Sequence, residues 1–277
     1  MKNKFVITTL GCKVNQYESE SIAESLKAAG WFTQNRKESA DLCIINTCTV
    51  TRKASMQSRQ AIRQIIRAHP DARVIVTGCY AQMEADEIRK IEGVDEIVAH
   101  ADKHKISEKF QFPISNFQSP VSNSRTRPFL KIQDGCNAFC TYCIVPYARG
   151  RSRSVPPRDV LNSIRQLGKA GYHEVVLTGI HMGCYGGDLS PRTNLSELLY
   201  RIHDLNAVRR IRLSSIEPHE LTDEILELAA KSEIFCRHFH IPLQSGDDQI
   251  LKQMHRPYTS ALFRELLIKI HQLMPES

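Results

Sequence analysis

The chain has 277 residues, a little under two domains at roughly 150 residues each, and long enough to fold without staples. Its 42% hydrophobic and 24% charged residues exclude intrinsic disorder and collagen-like structure. Nine cysteines, an odd number and about 3% of the chain, exclude a fully paired secreted scaffold, and a net charge of +7 offers only a mild attraction to a polyanion.

The first hundred residues alternate strand and helix signals. An apolar, β-rich run over 5–10 ends at Gly11-Cys12, and a helical pattern follows with Ile22, Leu26 and Ala29 on one face. A second apolar strand at 42–45 ends at Asn46-Thr47-Cys48. A basic amphipathic helix comes next, with Ile62, Ile65 and Ile66 apolar and Arg59, Arg63 and Arg67 outside. A third strand at 73–77 ends at Gly78-Cys79, and Ile97-Val98 reads as a fourth. Strands alternating with helices predict an open parallel α/β sheet over 1–112. A polar, Pro- and Ser-rich stretch over 113–128 reads as a linker. The alternation then resumes, with strands expected at 129–133, 174–178, 210–214 and 238–243. Helices are expected near 158–170, 195–205, 223–230 and 260–273.

No run approaches the ~18 consecutive apolar residues of a membrane span. The start, Met1-Lys2-Asn3-Lys4 and then the short run over 5–10, is too short for a signal peptide and lacks a cleavage site. The expected compartment is the reducing cytoplasm, where clustered cysteines hold metal or do redox chemistry.

Cys136, Cys140 and Cys143 form a C-x3-C-x2-C run directly after a strand. Three thiolates so close converge on one soft centre. An iron–sulfur cube with one open iron suits three cysteine ligands, whereas zinc needs a fourth ligand and more usual cysteine pairs. Between Gly135 and Pro157 there is no acidic residue, but Arg149, Arg151 and Arg153 are present, able to offset anionic charge or to form a solvated basic loop.

Cys12, Cys48 and Cys79 are far apart in sequence, yet each follows a predicted strand. In an open parallel sheet the carboxyl ends of neighbouring strands line one crevice, so the three can share a metal site. Any one alone reads as a small buried hydrophobe. Cys43 lies mid-strand and Cys236 near a strand start, both expected as packing. Cys184 sits in a glycine-rich loop over 179–187 that lacks the Gly-Lys-Ser/Thr of a phosphate loop. His100 and His104 have a zinc-pair spacing but no third ligand, and read as surface histidines.

The Cys136–Cys140–Cys143 run resembles the signature of radical S-adenosylmethionine enzymes. The full set of motifs resembles their methylthiotransferase branch. The matching segments begin with Thr9-Leu10-Gly11-Cys12-Lys13-Val14-Asn15-Gln16-Tyr17-Glu18-Ser19, Asn46-Thr47-Cys48-Thr49-Val50-Thr51 and Thr77-Gly78-Cys79-Tyr80-Ala81-Gln82. They continue with Pro146-Tyr147-Ala148-Arg149-Gly150-Arg151-Ser152-Arg153, Leu213-Ser214-Ser215-Ile216-Glu217-Pro218 and His240-Ile241-Pro242-Leu243-Gln244-Ser245-Gly246. The first two segments are most similar to the type that acts on tRNA threonylcarbamoyladenosine. The isopentenyladenosine type is the alternative.

The resemblance implies an N-terminal α/β domain and a partial (β/α)6 barrel over 129–277. It implies two [4Fe–4S] clusters, one on Cys136, Cys140 and Cys143 and one on Cys12, Cys48 and Cys79. The first would bind and reductively cleave S-adenosylmethionine, and the resulting radical would take hydrogen from C2 of the modified adenine beside the tRNA anticodon. The second would present methylated sulfur. An unactivated aromatic C–H bond has no useful acidity at neutral pH, so the hard chemistry belongs to the cofactors. An electron donor such as flavodoxin or ferredoxin and a sulfur source are implied as partners. Tyr142 would lie near the cofactor adenine and Thr178 and Gly179 near its methionine portion. Ser214, Glu217, His240 and Gln244 stand at later strand ends, where barrel chemistry sits, or bond within the barrel. Only four of six expected barrel strands are readable, and the family's C-terminal RNA-binding domain is not seen. An inactive iron–sulfur or RNA-binding fragment is therefore the competing expectation.

Overall fold

A computed structural model describes residues 3–103, 105–108 and 125–277. His104 and most of the linker expected at 113–128 lie outside the described residues. The chain divides into two compact units, Met1–Ser122 with Tyr147–Arg149, and Asn123–Pro146 with Gly150–Ser277.

The first unit runs β1 (Lys4–Thr9), α1 (Lys13–Ala28), β2 (Phe32–Thr33), β3 (Leu42–Thr47), α2 (Arg52–Ala68) and β4 (Arg73–Gly78). Short elements follow: α3 (Cys79–Met83), α4 (Ala85–Arg89), β5 (Glu96–Ile97) and α5 (Lys105–Glu108). The strands pair in parallel in the order β2-β1-β3-β4-β5. Alternation along them builds two cores. Phe5, Leu42, Ile44 and Ile75 pack with Ile22 and Leu26 of α1 on one face. Val6, Cys43, Ile45, Val74 and Val76 pack with Ile62 and Ile65 of α2 on the other. The chain leaves β1 toward β2 on one side and returns to β3 on the other, so the strand order reverses between β1 and β3. That reversal opens a crevice at the strands' carboxyl ends. β2 is two residues long, too short to leave a periodic signal.

The second unit contains β6 (Phe129–Lys131), β7 (Gln133–Asp134), α6 (Val145–Arg149, whose last residues group with the first unit) and β8 (Arg153–Ser154). It continues with α7 (Pro157–Lys169), β9 (Glu174–Thr178), α8 (Leu195–Leu205) and β10 (Arg210–Leu213). It ends with α9 (Asp223–Lys231), α10 (Asp248–Gln253) and α11 (Ser260–Leu273). A parallel sheet runs β10-β9-β6, and β7 and β8 form a small antiparallel pair. This succession of parallel strands and helices is compatible with a partial β/α barrel.

One expected strand changes character. Residues 238–243 form no regular strand: among the described residues the stretch bridges the extension of β10 at Ser215↔His240, and just ahead of it Phe235 bridges Ile211. Local chemistry explains it: the His238 N–H turns back to Cys236 O at 2.8 Å, and Pro242 has no N–H to give a ladder. The helix α10 was not anticipated. Its cap is Asp247, whose Oδ1 accepts from Ile250 N at 2.9 Å.

Candidate functional site

In the first unit, Cys12 caps the start of α1, Cys48 follows β3 and Cys79 opens α3 directly after β4. β1, β3 and β4 are adjacent, so the three expected cysteines stand at neighbouring strand ends. Gly11 holds φ +97°, and a Cβ there would lie 2.9 Å from the Cβ and Sγ of Cys48. A side chain would push into the space of that thiol, so glycine lets the Cys12 turn close onto Cys48. Burial pushes the Cys79 thiol up. Arg149 and Lys103 oppose this, and Cys12 is near enough to add to it. Three cysteines at neighbouring strand ends are the kind of donor set a soft metal takes.

Beneath them lies a buried polar knot that the sequence does not announce. Lys103 donates to Glu18 Oε2 at 2.6 Å and to Asn46 Oδ1 at 3.1 Å. Arg149 donates to Glu18 Oε1 at 3.1 Å and to Asn15 Oδ1 at 2.5 Å. Asn15 donates in turn to the carbonyls of Leu10 and Thr47, beside two of the cysteines. Burial pulls the Lys103 ammonium down, opposed by Glu18. Arg149 is therefore a buried member of this knot, grouped with the first unit and acting on Cys79, and not part of a solvated basic loop.

In the second unit, the Cys136 turn is fixed by Gln133. Its Nε2 reaches the carbonyls of Asp134 and Gly135 and the hydroxyl of Ser152, at 2.8–2.9 Å. Its Oε1 accepts from the N–H groups of Ile180 and His181, at 3.0 and 2.8 Å. One amide thus ties the cysteine turn to the loop after β9. Gly135 sits at φ +72°, where a Cβ would strike Arg151 O at 2.1 Å, so this approach needs glycine.

Two cations meet the sulfurs of the run. His181 Nδ1 lies 3.3 Å from Cys136 Sγ, and its Nε2 lies 2.7 Å from Glu220. Arg256 Nη1 donates to Cys140 Sγ at 3.2 Å, and Arg256 is held by Glu217. Burial pulls the His181 imidazole down, but hydrogen bonds to Cys136, Cys184 and Glu220 win and push it up to about 12. Burial also raises the Cys136 thiol, yet the bonds from His181 and from the Ala138 N–H leave it below its ordinary value. Burial raises Cys143, and the neighbouring Cys140 and Cys136 add to the rise. Thr141 anchors the far side of the run to α10, through bonds to the carbonyls of Gln253 and Met254.

The remaining expected site residues divide. Glu217 reaches Cys140 through Arg256. Gly179 abuts Gln133. Tyr142 is exposed beside the run. Thr178 and Ser214 are buried and bond to each other at 3.3 Å, the internal role open to them. His240 pairs with Ser215 at 2.6 Å, and Gln244 stands at φ +62° without a hydrogen bond among the described residues. Cys43 is a core residue, with burial raising its thiol to about 11. Cys184 packs against His181 at 3.4 Å. His100 is buried rather than on the surface, because its backbone N–H is drawn in to Gln82 Oε1 at 3.0 Å.

Sequence reasoning missed His181, Glu220, Arg256, Glu18 and Lys103. Two of them had a local signal: His181 its place in the glycine-rich loop after a strand, and Glu18 its place in the segment that begins Thr9-Leu10-Gly11-Cys12.

Residues 4–99 match the profile described as Uncharacterized protein family UPF0004, and residues 130–276 match that of the Radical SAM superfamily. The chain is 44% identical to "Threonylcarbamoyladenosine tRNA methylthiotransferase MtaB" of Bacillus subtilis, over 96% of this chain and 63% of that protein. It is 37% identical to the protein of the same name from Aquifex aeolicus, over 99% of this chain and 71% of that one. A "tRNA-2-methylthio-N(6)-dimethylallyladenosine synthase" of Clostridium botulinum is 35% identical, over 98% of this chain and 65% of that one. Among solved structures, the radical S-adenosylmethionine methyltransferase TsrM of Kitasatospora setae, with cobalamin and a [4Fe–4S] cluster bound, aligns with a TM-score of 0.65 at 15% identity. That alignment covers 98% of this chain and 67% of TsrM. The likeness to TsrM is one of fold. The chain belongs to the radical SAM superfamily and, within it, to the methylthiotransferase family of its bacterial relatives. It spans 63% of the length of the Bacillus subtilis relative.

Proposed function

We propose that this chain works in the radical S-adenosylmethionine-dependent methylthiolation of C2 of N6-threonylcarbamoyladenosine, next to the anticodon of tRNA. The observation that supports the reading is the placement of the cysteines: Cys136 and Cys140 meet His181 and Arg256, and Cys12, Cys48 and Cys79 stand at neighbouring strand ends with Arg149 and Lys103 acting on Cys79. The relatives named for the threonylcarbamoyl substrate, at 44% and 37% identity, support that choice of adenosine.

Cys136, Cys140 and Cys143 would hold one [4Fe–4S] cluster with S-adenosylmethionine, and Cys12, Cys48 and Cys79 a second. Bound there, these groups would supply one-electron chemistry able to break an unactivated C–H bond, which acid–base side chains cannot do. The protein's own part is to hold and shield. Gln133 keeps the Cys136 turn against the loop after β9. His181 and Arg256 direct N–H donors at two of the sulfurs, and Glu220 and Glu217 keep those donors aimed. Asn15 and Arg149 brace the turns that carry Cys12 and Cys48. An electron donor and a sulfur source complete the reaction. Among the described residues no helix is long and apolar enough to cross a membrane. A thiol-rich site acting on tRNA belongs in the reducing cytoplasm.

The test is mass spectrometry of tRNA from a strain deleted for this gene, with and without the chain restored. The expected result is restoration of the methylthio group on threonylcarbamoyladenosine. Restoration on isopentenyladenosine instead would overturn the substrate, and restoration of neither would favour a fragment without turnover.

A further inference from the structure

We propose that the outward face of α2, along Arg59, Arg63 and Arg67, is a phosphate-gripping surface for the RNA backbone of the substrate. This rests on the reading of tRNA as substrate and adds where the protein holds it.

The helix is unusual in its charge. Its sequence holds Arg52, Lys53, Arg59, Arg63 and Arg67 and not one acidic residue. Arg52 and Lys53 stand in the first turn, where the helix dipole disfavours cations. Arg59, Arg63 and Arg67 recur every four residues, so like charges repel along one line instead of alternating with carboxylates. Only Arg67, in the last turn, suits the helix dipole. Glu84 and Glu87 lie near Arg59, but Arg63 and Arg67 form no ion pair among the described residues. With Met56, Gln60 and Gln64, the three arginines line a surface recess of about 350 Å³.

The chemistry selects the partner. The line is made of arginine, whose planar fork suits phosphate oxygens, spaced about 6 Å apart along the helix axis. Gln60 and Gln64 add neutral donors and acceptors between them. None of the residues lining the recess is aromatic, so the face grips a backbone and does not stack bases. A lipid surface fits poorly, because the apolar side of α2, with Ile62 and Ile65, is already buried against the sheet.

The position is also informative. Cys48 lies just ahead of Thr51, whose hydroxyl caps α2 by accepting from Ala54 N at 3.0 Å. At the other end of the link, Arg59 donates to the hydroxyl of Tyr80 at 3.1 Å, and Tyr80 follows Cys79 directly. The arginine line is thus joined to the loops that carry two of the three cysteines. RNA held on this face would be anchored next to that group.

The experiment measures binding of unmodified tRNA transcript to the purified chain across a salt series, for the wild type, R63Q/R67Q and R63K/R67K. Both positions are exposed, so neither variant threatens folding. For wild type the logarithm of affinity falls with the logarithm of salt. In R63Q/R67Q the slope should shrink by about 1.4–1.8, near 0.7–0.9 for each phosphate that is no longer neutralised. The lysine variant should keep the slope. An unchanged slope in R63Q/R67Q overturns the surface while leaving the proposed reaction intact, since that is decided separately by the modified nucleoside. Loss of binding to phosphatidylserine vesicles in R63Q/R67Q, with tRNA binding unaffected, also overturns it in favour of a lipid partner.

Discussion

The imidazole of His181 stands against Cys136, its Nδ1 3.3 Å from the Sγ, with Glu220 holding the opposite nitrogen at 2.7 Å. A donor aimed at a cluster sulfur stabilises added negative charge and raises the reduction potential. His181→Ala should therefore lower the midpoint potential of the reconstituted cluster. A charge-assisted hydrogen bond of about 1.5–3 kcal/mol corresponds to roughly 65–130 mV for one electron. Titration followed by electron paramagnetic resonance reads this directly. An unchanged potential would assign His181 a purely structural part.

Replacing Cys12, Cys48 and Cys79 together with Ala should lower the iron bound after anaerobic reconstitution from about eight to about four atoms per chain, as expected for loss of one of two four-iron clusters. The visible absorbance should fall in proportion. Full iron content in the triple variant would mean that these cysteines hold no cluster.

Glu18 is the carboxylate shared by Lys103 and Arg149, all three side chains being 7% exposed or less. Glu18→Gln leaves two buried cations without their partner, and breaking such a set costs about 3–5 kcal/mol. Denaturant unfolding should show this loss. Adding Lys103→Met should return part of it, because residues in one network are coupled. Strictly additive losses would mean that the two do not act as a pair.

Glu174 opens β9 with Arg210 and Arg212 each 2.9 Å away and Arg127 at 3.5 Å. Burial raises its carboxyl, but the bonds from Arg212 and Arg210 win and hold it below its ordinary value of 4.5. A carboxyl depressed in the folded state adds stability that is complete above pH 4.5 and is lost as pH falls through the lower folded value. Glu174→Gln should flatten the acid side of the stability profile and leave its slope above about pH 6 unchanged. Salt should weaken the effect, since Arg127 and Arg210 are largely exposed. An acid limb identical to the wild type would remove Glu174 from this role.

Local signals and distant partnerships differed sharply in how far the sequence revealed them. β1, β3 and β4 were readable because apolar, β-branched runs stop at Gly-Cys or Thr-Cys, and β9 because Val175-Val176-Leu177-Thr178 is such a run and stops at Gly179. The cysteine run was readable from its spacing alone. Arg149 was misplaced because its partner, Glu18, lies 131 residues away. Arg256 was missed for the same reason, 116 residues from Cys140. Both are ordinary charged residues in sequence and become distinctive only when folding buries them against one partner. The stretch 238–243 looked like a strand by composition, but composition does not register a backbone turn at Cys236–His238 or a missing donor at Pro242.

The most direct measurement is the release of 5′-deoxyadenosine when the anaerobically reconstituted chain is reduced in the presence of S-adenosylmethionine. Wild-type chain should release it, and Cys140→Ala should release none. Formation of both clusters in the wild type with no 5′-deoxyadenosine would contradict radical chemistry at the Cys136–Cys140–Cys143 site.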